Sequence, residues 1–121
     1  MKGVVPRSGW REMAMWLMRR RRLLRVTGDS MAPTLAAGAV VMLDPDAYHR
    51  RNPREDEIVV ARHPRQADLR IVKRVTAVIE SRAEGVLLVL ASDNAAAGAD
   101  SRVFGPVAMN LVLGRVISRL G

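Results

Sequence analysis

A chain of 121 residues, 49% of them hydrophobic, has room for one domain with a modest core, which excludes a disordered chain. It contains no cysteine, so disulfides, thiolate metal sites and cysteine nucleophiles are excluded as well. The net charge of +8 is local: residues 1–25 hold eight basic residues and one acid, and residues 26–121 hold twelve basic residues and eleven acids. A nearly neutral body is not what a globular nucleic-acid reader carries, so no nucleic-acid partner is expected.

In chain order, residues 1–25 form a basic N-terminal arm, followed by a domain over 26–121. The arm's apolar run, Met13-Ala14-Met15-Trp16-Leu17-Met18, is six residues long. That is far short of the roughly 20 needed to span a bilayer. The arginines at 19–22 follow the run, whereas a signal peptide places its charges first. Two readings of the arm stay open: a frayed or core-capping helix with a solvated basic end, and a surface anchor that lays Trp10, Trp16 and the arginines on anionic lipid.

The rest alternates short apolar runs with turn signals. Strands are expected at 23–27, ending at Gly28, and at 39–43, between Gly38 and Asp44-Pro45. Residues 50–56 read as a polar loop and 57–62 as a strand closed by His63-Pro64. A long strand over 69–79 follows, then a turn at Glu84-Gly85, a strand over 86–91 and a loop over 93–98. A last strand, 111–118, holds Gly114, where a bulge is expected. The pattern predicts a mainly β domain with little helix.

Of 20 basic residues only Lys2 and Lys73 are lysines. Arginine keeps its proton in proteins, whereas a buried lysine can lose it. With period two, the 69–79 strand presents Leu69, Ile71, Lys73, Val75, Ala77 and Ile79 on one face. An ammonium on an apolar face must neutralise or find a partner, which is how a lysine becomes a general base near neutral pH. Upstream, Ser30 follows a strand, a glycine and an aspartate. A hydroxyl at a strand-to-turn junction is exposed on rigid backbone, and its amide N–H points into the same space. The two histidines, His49 and His63, lie in polar stretches beside turn signals, so Lys73 is the better base for Ser30. The plain alternative is a chance Gly-Asp-Ser and a strand lysine that reaches to solvent.

Gly28-Asp29-Ser30-Met31-Ala32-Pro33-Thr34-Leu35 resembles the nucleophile box of the signal peptidase I family. Val72-Lys73-Arg74-Val75 is similar to its general-base box. Ser92-Asp93-Asn94, with Asp100-Ser101-Arg102 and Phe104-Gly105, resembles its third box, and Leu113-Gly114-Arg115-Val116 its closing strand. The resemblance covers about residues 24–118, in the family's order. It implies the coiled β-sheet that signal peptidases share with the self-cleaving SOS repressors, and a serine endopeptidase with no cofactor and no metal. Within the family, the short form most resembles the nickel-type superoxide dismutase maturation proteases. Three features carry that: no membrane anchor, a compact insert between boxes, and Val59-Val60-Ala61-Arg62-His63-Pro64 leading to Ile71-Val72-Lys73-Arg74. The implied substrate is a superoxide dismutase precursor that loses an N-terminal propeptide. The implied setting is the bacterial cytoplasm.

Carried over, Ser30 is the nucleophile and Lys73 the general base, in a box with Gly28 and Asp29. The Ser30 N–H is one oxyanion donor; a second donor at position 28 has no side chain here. Asp93, Asn94, Asp100, Ser101 and Arg102 support the site. Asp100 and Arg102 are expected to pair, either to hold the third box or as an ordinary surface salt bridge. Met31 is expected on the wall of the substrate cleft, with plain core as its alternative. Three departures stand out. Ser92 replaces a glycine, Gly98 replaces a serine that lies near the lysine amine, and Asp56-Glu57 replaces Gly-Asp. With Gly98, water or backbone is expected to orient the lysine, and Asp56 is expected to take the positive φ of the missing glycine. The rival readings are a signal peptidase acting on exported preproteins, with the arm as a peripheral membrane contact; an SOS-type repressor, which lacks room for a DNA-reading unit; and a basic binding module without catalysis.

Overall fold

The computed structural model describes residues 21–120. Seven strands make the frame: β1 (Arg22–Arg25), β2 (Val40–Asp44), β3 (Ile58–Arg62), β4 (Arg70–Ser81), β5 (Gly85–Ala91), β6 (Val107–Ala108) and β7 (Val112–Leu120). One helical turn, α1 (Ser101–Phe104), and a 3-10 turn (Met109–Leu111) are the only helices among the described residues. The domain is mainly β. The tip of the basic arm, with Trp10 and Trp16, lies outside the described residues. The last four residues of the basic segment, Arg22–Arg25, enter the sheet as β1.

The strands form one sheet in the order β1-β2-β7-β3-β4-β5-β6. Every pairing is antiparallel. Strand β3 is central, and Val59, Val60 and Ala61 are fully buried, so both of its faces are covered. The sheet curls into a half-barrel. Residues 24–27, at and just beyond β1, line the same groove as residues 68–73, at the start of β4, although the two strands stand four places apart. Irregularities supply the bending: the register shifts between Val75 and Ala77 on β4, and again where β7 meets β2 and β3. Gly114 lies beside one of these shifts. A Cβ there would sit 2.5 Å from the Asp44 carbonyl oxygen, so two backbones pass at a distance only glycine allows.

The β4 shift corrects the sequence pattern. Alternation holds through Lys73 and Val75, and then Thr76 is inserted, its hydroxyl donating to the Val89 carbonyl. Val78 therefore packs on the core, and Ile79, expected inside, is 42% exposed.

Two apolar clusters fill the curl. One joins Val59, Ala61, Val75, Leu88, Leu90, Phe104 and Val107, so it ties α1 and β6 to the β3-β4-β5 half. The other joins Val26, Met31, Leu35 and Val41, with Ile58, Val72 and Val116 against them. This second cluster lies beneath the 28–35 turn and holds it to the sheet.

A half-buried carboxylate organises the loop before β3. Glu57 accepts two hydrogen bonds from the Arg51 guanidinium, one from the Tyr48 hydroxyl at 3.0 Å and one from the Arg54 N–H. Arg115 on β7 stands 3.5 Å away. Burial pushes the Glu57 carboxyl up, but these donors outweigh it and hold its pKa down to about 2. Burial and the Glu57 carboxylate push the Tyr48 hydroxyl well above its ordinary value. Asp56 has φ 75° and is the only non-glycine at positive φ among the described residues. It takes the turn that a glycine would otherwise fill.

Candidate active site

Ser30 sits where the chain leaves Val26 and turns away from the sheet. Gly28, at φ 74°, starts the turn. The Ala32 N–H donates to the Asp29 carbonyl, and the Leu35 N–H donates to the Met31 carbonyl at 2.8 Å. Met31 and Leu35 drop into the second apolar cluster and anchor the turn. Met31 is fully buried, and its sulfur accepts from the Asp93 N–H at 3.5 Å. It is core, not cleft wall, because the turn needs an apolar anchor directly below the serine.

Lys73 points from β4 to the same place. Its side chain is 5% exposed, and burial lowers its pKa from the usual lysine value, with the charge of Asp100 pulling the other way. Its ammonium donates to the Ser92 hydroxyl at 2.9 Å, and Ser92 is itself buried. Ser30 and Lys73 meet at Gly98. A Cβ built there would lie 2.5 Å from Ser30 Cβ, 3.3 Å from Lys73 Nζ and 3.4 Å from Ser92 Oγ. The serine Cβ and the lysine nitrogen are thus separated by no more than the sum of the first two distances. No hydrogen bond among the described residues takes up the Ser30 hydroxyl or its backbone N–H.

The 92–102 segment closes around this pair. The Asn94 N–H donates to the Ser30 carbonyl at 2.8 Å. Asp93 accepts both arms of the Arg74 guanidinium at 2.8 Å and the Thr34 hydroxyl at 2.6 Å. One carboxylate therefore joins the Ser30 turn, strand β4 and the 92–102 segment, and Arg74 holds it below the usual carboxylate range. Arg74 also donates to the Asp56 carbonyl, which ties in the Glu57 loop. Asp100 is 2% exposed and pairs with Arg102, at 3.0 Å from Nε. It also caps α1 through the Arg102 N–H and accepts from the Ser92 N–H at 3.3 Å. The Arg102 hydrogen bond lowers its pKa. Ser101 accepts the Leu90 N–H at 2.8 Å, stitching α1 to β5. The Arg74–Asp93–Thr34 link escaped the sequence reading: nothing in local spacing says that three residues so far apart in the chain share one carboxylate.

A groove of about 410 Å³ runs up to the pair, lined by Leu24, Val26, Thr27 and Ser30 on one side and Leu69, Ile71 and Lys73 on the other. Residues 70–73 pair with β3 on one edge only, because β5 begins its pairing at Arg74. Strand β1 is the outer strand at the other end of the sheet. Among the described residues, no strand pairs with the groove side of residues 24–25 or of residues 70–73.

The family described as signal peptidase, peptidase S26, matches residues 13–79, a stretch that includes both Ser30 and Lys73. The match covers more than half of the chain, and the chain belongs to that family: it is a signal-peptidase-like serine peptidase. The 92–102 segment lies beyond the match, so its place at the site rests on the geometry above. No curated protein matches the chain. No helix among the described residues is long and apolar enough to cross a membrane.

Proposed function

We propose that the chain is a serine endopeptidase that works with a Ser30–Lys73 dyad and removes an N-terminal propeptide from a nickel-type superoxide dismutase precursor. The observation that carries the dyad is a buried lysine with a lowered pKa beside an unengaged serine, at the end of a groove open to an extended chain. An extended peptide adds as a strand between the edges of β1 and β4, which brings a scissile carbonyl to Ser30. Neutral Lys73 takes the hydroxyl proton as Ser30 Oγ attacks. The Ser30 N–H, which no described residue takes up, steadies the oxyanion; with glycine at position 28, a second donor is backbone or water. Protonated Lys73 then gives its proton to the leaving amine. Water, activated by the same lysine, releases the acyl-enzyme. Asp93 and Asp100 act indirectly: they fix the loops that hold Ser30 and Lys73 in register.

The precursor as substrate is supported by the sequence around Val59–Pro64 and Ile71–Arg74. The nickel belongs to the substrate. A second reading, cleavage of exported preproteins, is favoured by the family's own description. Co-expression with a nickel superoxide dismutase precursor, followed by intact-mass measurement, separates them. Loss of the propeptide with wild type, and not with Ser30→Ala or Lys73→Arg, is the expected result. Cleavage that survives both substitutions contradicts the dyad. A precursor left whole by wild type contradicts the substrate and points to preproteins.

A further inference from the structure

Taking Ser30 and Lys73 as the dyad, we infer that Ser92 is the residue that positions the general base, and that Gly98 is kept bare so that the nucleophile can stand beside it. A lysine amine rides on a flexible four-carbon stem and has three donors to place. In this site its one hydrogen-bond partner among the described residues is the Ser92 hydroxyl, at 2.9 Å and buried. Holding one N–H there turns the rest of the amine toward Ser30. Ser92 is itself fixed: its N–H donates to Asp100, which Arg102 and the α1 cap hold in turn. Two residues further on, the Asn94 N–H binds the Ser30 carbonyl, so base and nucleophile are aligned by one short segment.

Position 98 looks onto the same amine and could hold a hydroxyl only if there were room. There is none. A Cβ at 98 would overlap Ser30 Cβ at 2.5 Å, and neither is the movable end of a flexible chain. The partner for Lys73 therefore comes from the other side of the amine, from position 92. The charged groups facing this region are already engaged: Asp100 with Arg102, and Asp93 with Arg74. The neutral Ser92 hydroxyl thus orients Lys73 without adding a charge that would keep it protonated.

The chain has two lysines, Lys2 and Lys73, so isotope labelling of lysine alone gives two side-chain NMR signals, and Lys2→Arg assigns them. The full chain is compared with Ser92→Ala, Ser92→Gly and Ser92→Thr, following both the Lys73 titration and hydrolysis of p-nitrophenyl acetate. Removing the hydroxyl takes an acceptor from the charged ammonium, so the Lys73 titration moves to lower pH in Ala and Gly. Hydrolysis slows about ten- to a hundredfold, because the amine is no longer aimed. Thr keeps the hydroxyl and keeps the wild-type titration. Gly98→Ala loses hydrolysis by overlap with Ser30. An unmoved Lys73 titration in a folded Ser92→Ala or Ser92→Gly chain overturns the positioning role, and full activity in Gly98→Ala overturns the steric half. If wild type fails to hydrolyse the ester while Ser92→Ala still moves the titration, the positioning contact stands and the dyad reading falls.

Discussion

At the scale of single residues, the site depends on the difference between lysine and arginine. The chain puts arginine almost everywhere it needs charge and keeps one internal lysine, at a position where burial favours loss of the proton. On the proposed dyad, Lys73→Arg preserves the charge and abolishes the base, so hydrolysis should fall by about 10²–10⁴, read as kcat on any cleaved peptide. In the proposed dyad the neutral amine is the reactive form. Activity should therefore rise with pH through a pKa below the usual 10.5 and then level off. The same burial carries a stability cost. With the folded pKa below the unfolded one, the cost of holding the charged amine in the fold is present in full below the folded pKa and fades as pH rises to the unfolded one, so Lys73→Met should raise the urea midpoint at neutral pH. That gain should vanish above about 10.5, where the lysine is neutral in both states. Lys73 and Ser30 stand out in the sequence because each breaks a local pattern, and the fold brings them to one place. Met31 misled because an apolar residue beside a nucleophile fits a cleft as well as a core; only the packing beneath the turn decides.

Among the elements, the third loop is the one whose work was least visible in the sequence. The sequence points to Asp93 and Asp100 as supports, but the Arg74–Asp93–Thr34 link exists only once β4, the Ser30 turn and the loop are folded together. Asp93→Asn keeps the shape and weakens the charge-assisted bonds, so kcat should fall about ten- to a hundredfold with the fold intact, as checked by circular dichroism. The Glu57 loop makes a separate prediction about stability. Its carboxyl is held near 2 in the folded chain against an ordinary 4.5. Its stabilisation is therefore complete above about 4.5 and lost as pH falls toward 2. Glu57→Gln should cost about 2–3 kcal/mol at pH 7 and flatten the loss of stability between those two pH values, read from urea midpoints across pH. On β4, the alternation that exposed Lys73 to view is sound up to Val75 and fails at Thr76. A bulge depends on what the neighbouring strand offers, not on the strand's own pattern.

Considered whole, the molecule is a curled sheet in which outer strand β1 and the start of β4 face each other across a groove, with Ser30 and Lys73 at its end. The mainly β character and most strand positions follow from the runs between Gly, Pro and Asp. The strand order does not, because β7 inserts between β2 and β3 and only packing of the two apolar clusters brings it there. If substrates bind by strand addition, N-methylation of a peptide amide that lies in the groove removes a backbone bond. It should raise KM about tenfold, while the same change outside the groove should not. The most direct test of the whole account is the rate at which Ser30 is acylated by a p-nitrophenyl ester, followed by intact mass from pH 5 to 11. The account requires a single adduct that peptide mapping places on Ser30, a rate that climbs with pH to a plateau set by Lys73, and no adduct in Lys73→Arg. An adduct elsewhere, or an unchanged profile in Lys73→Arg, would contradict it.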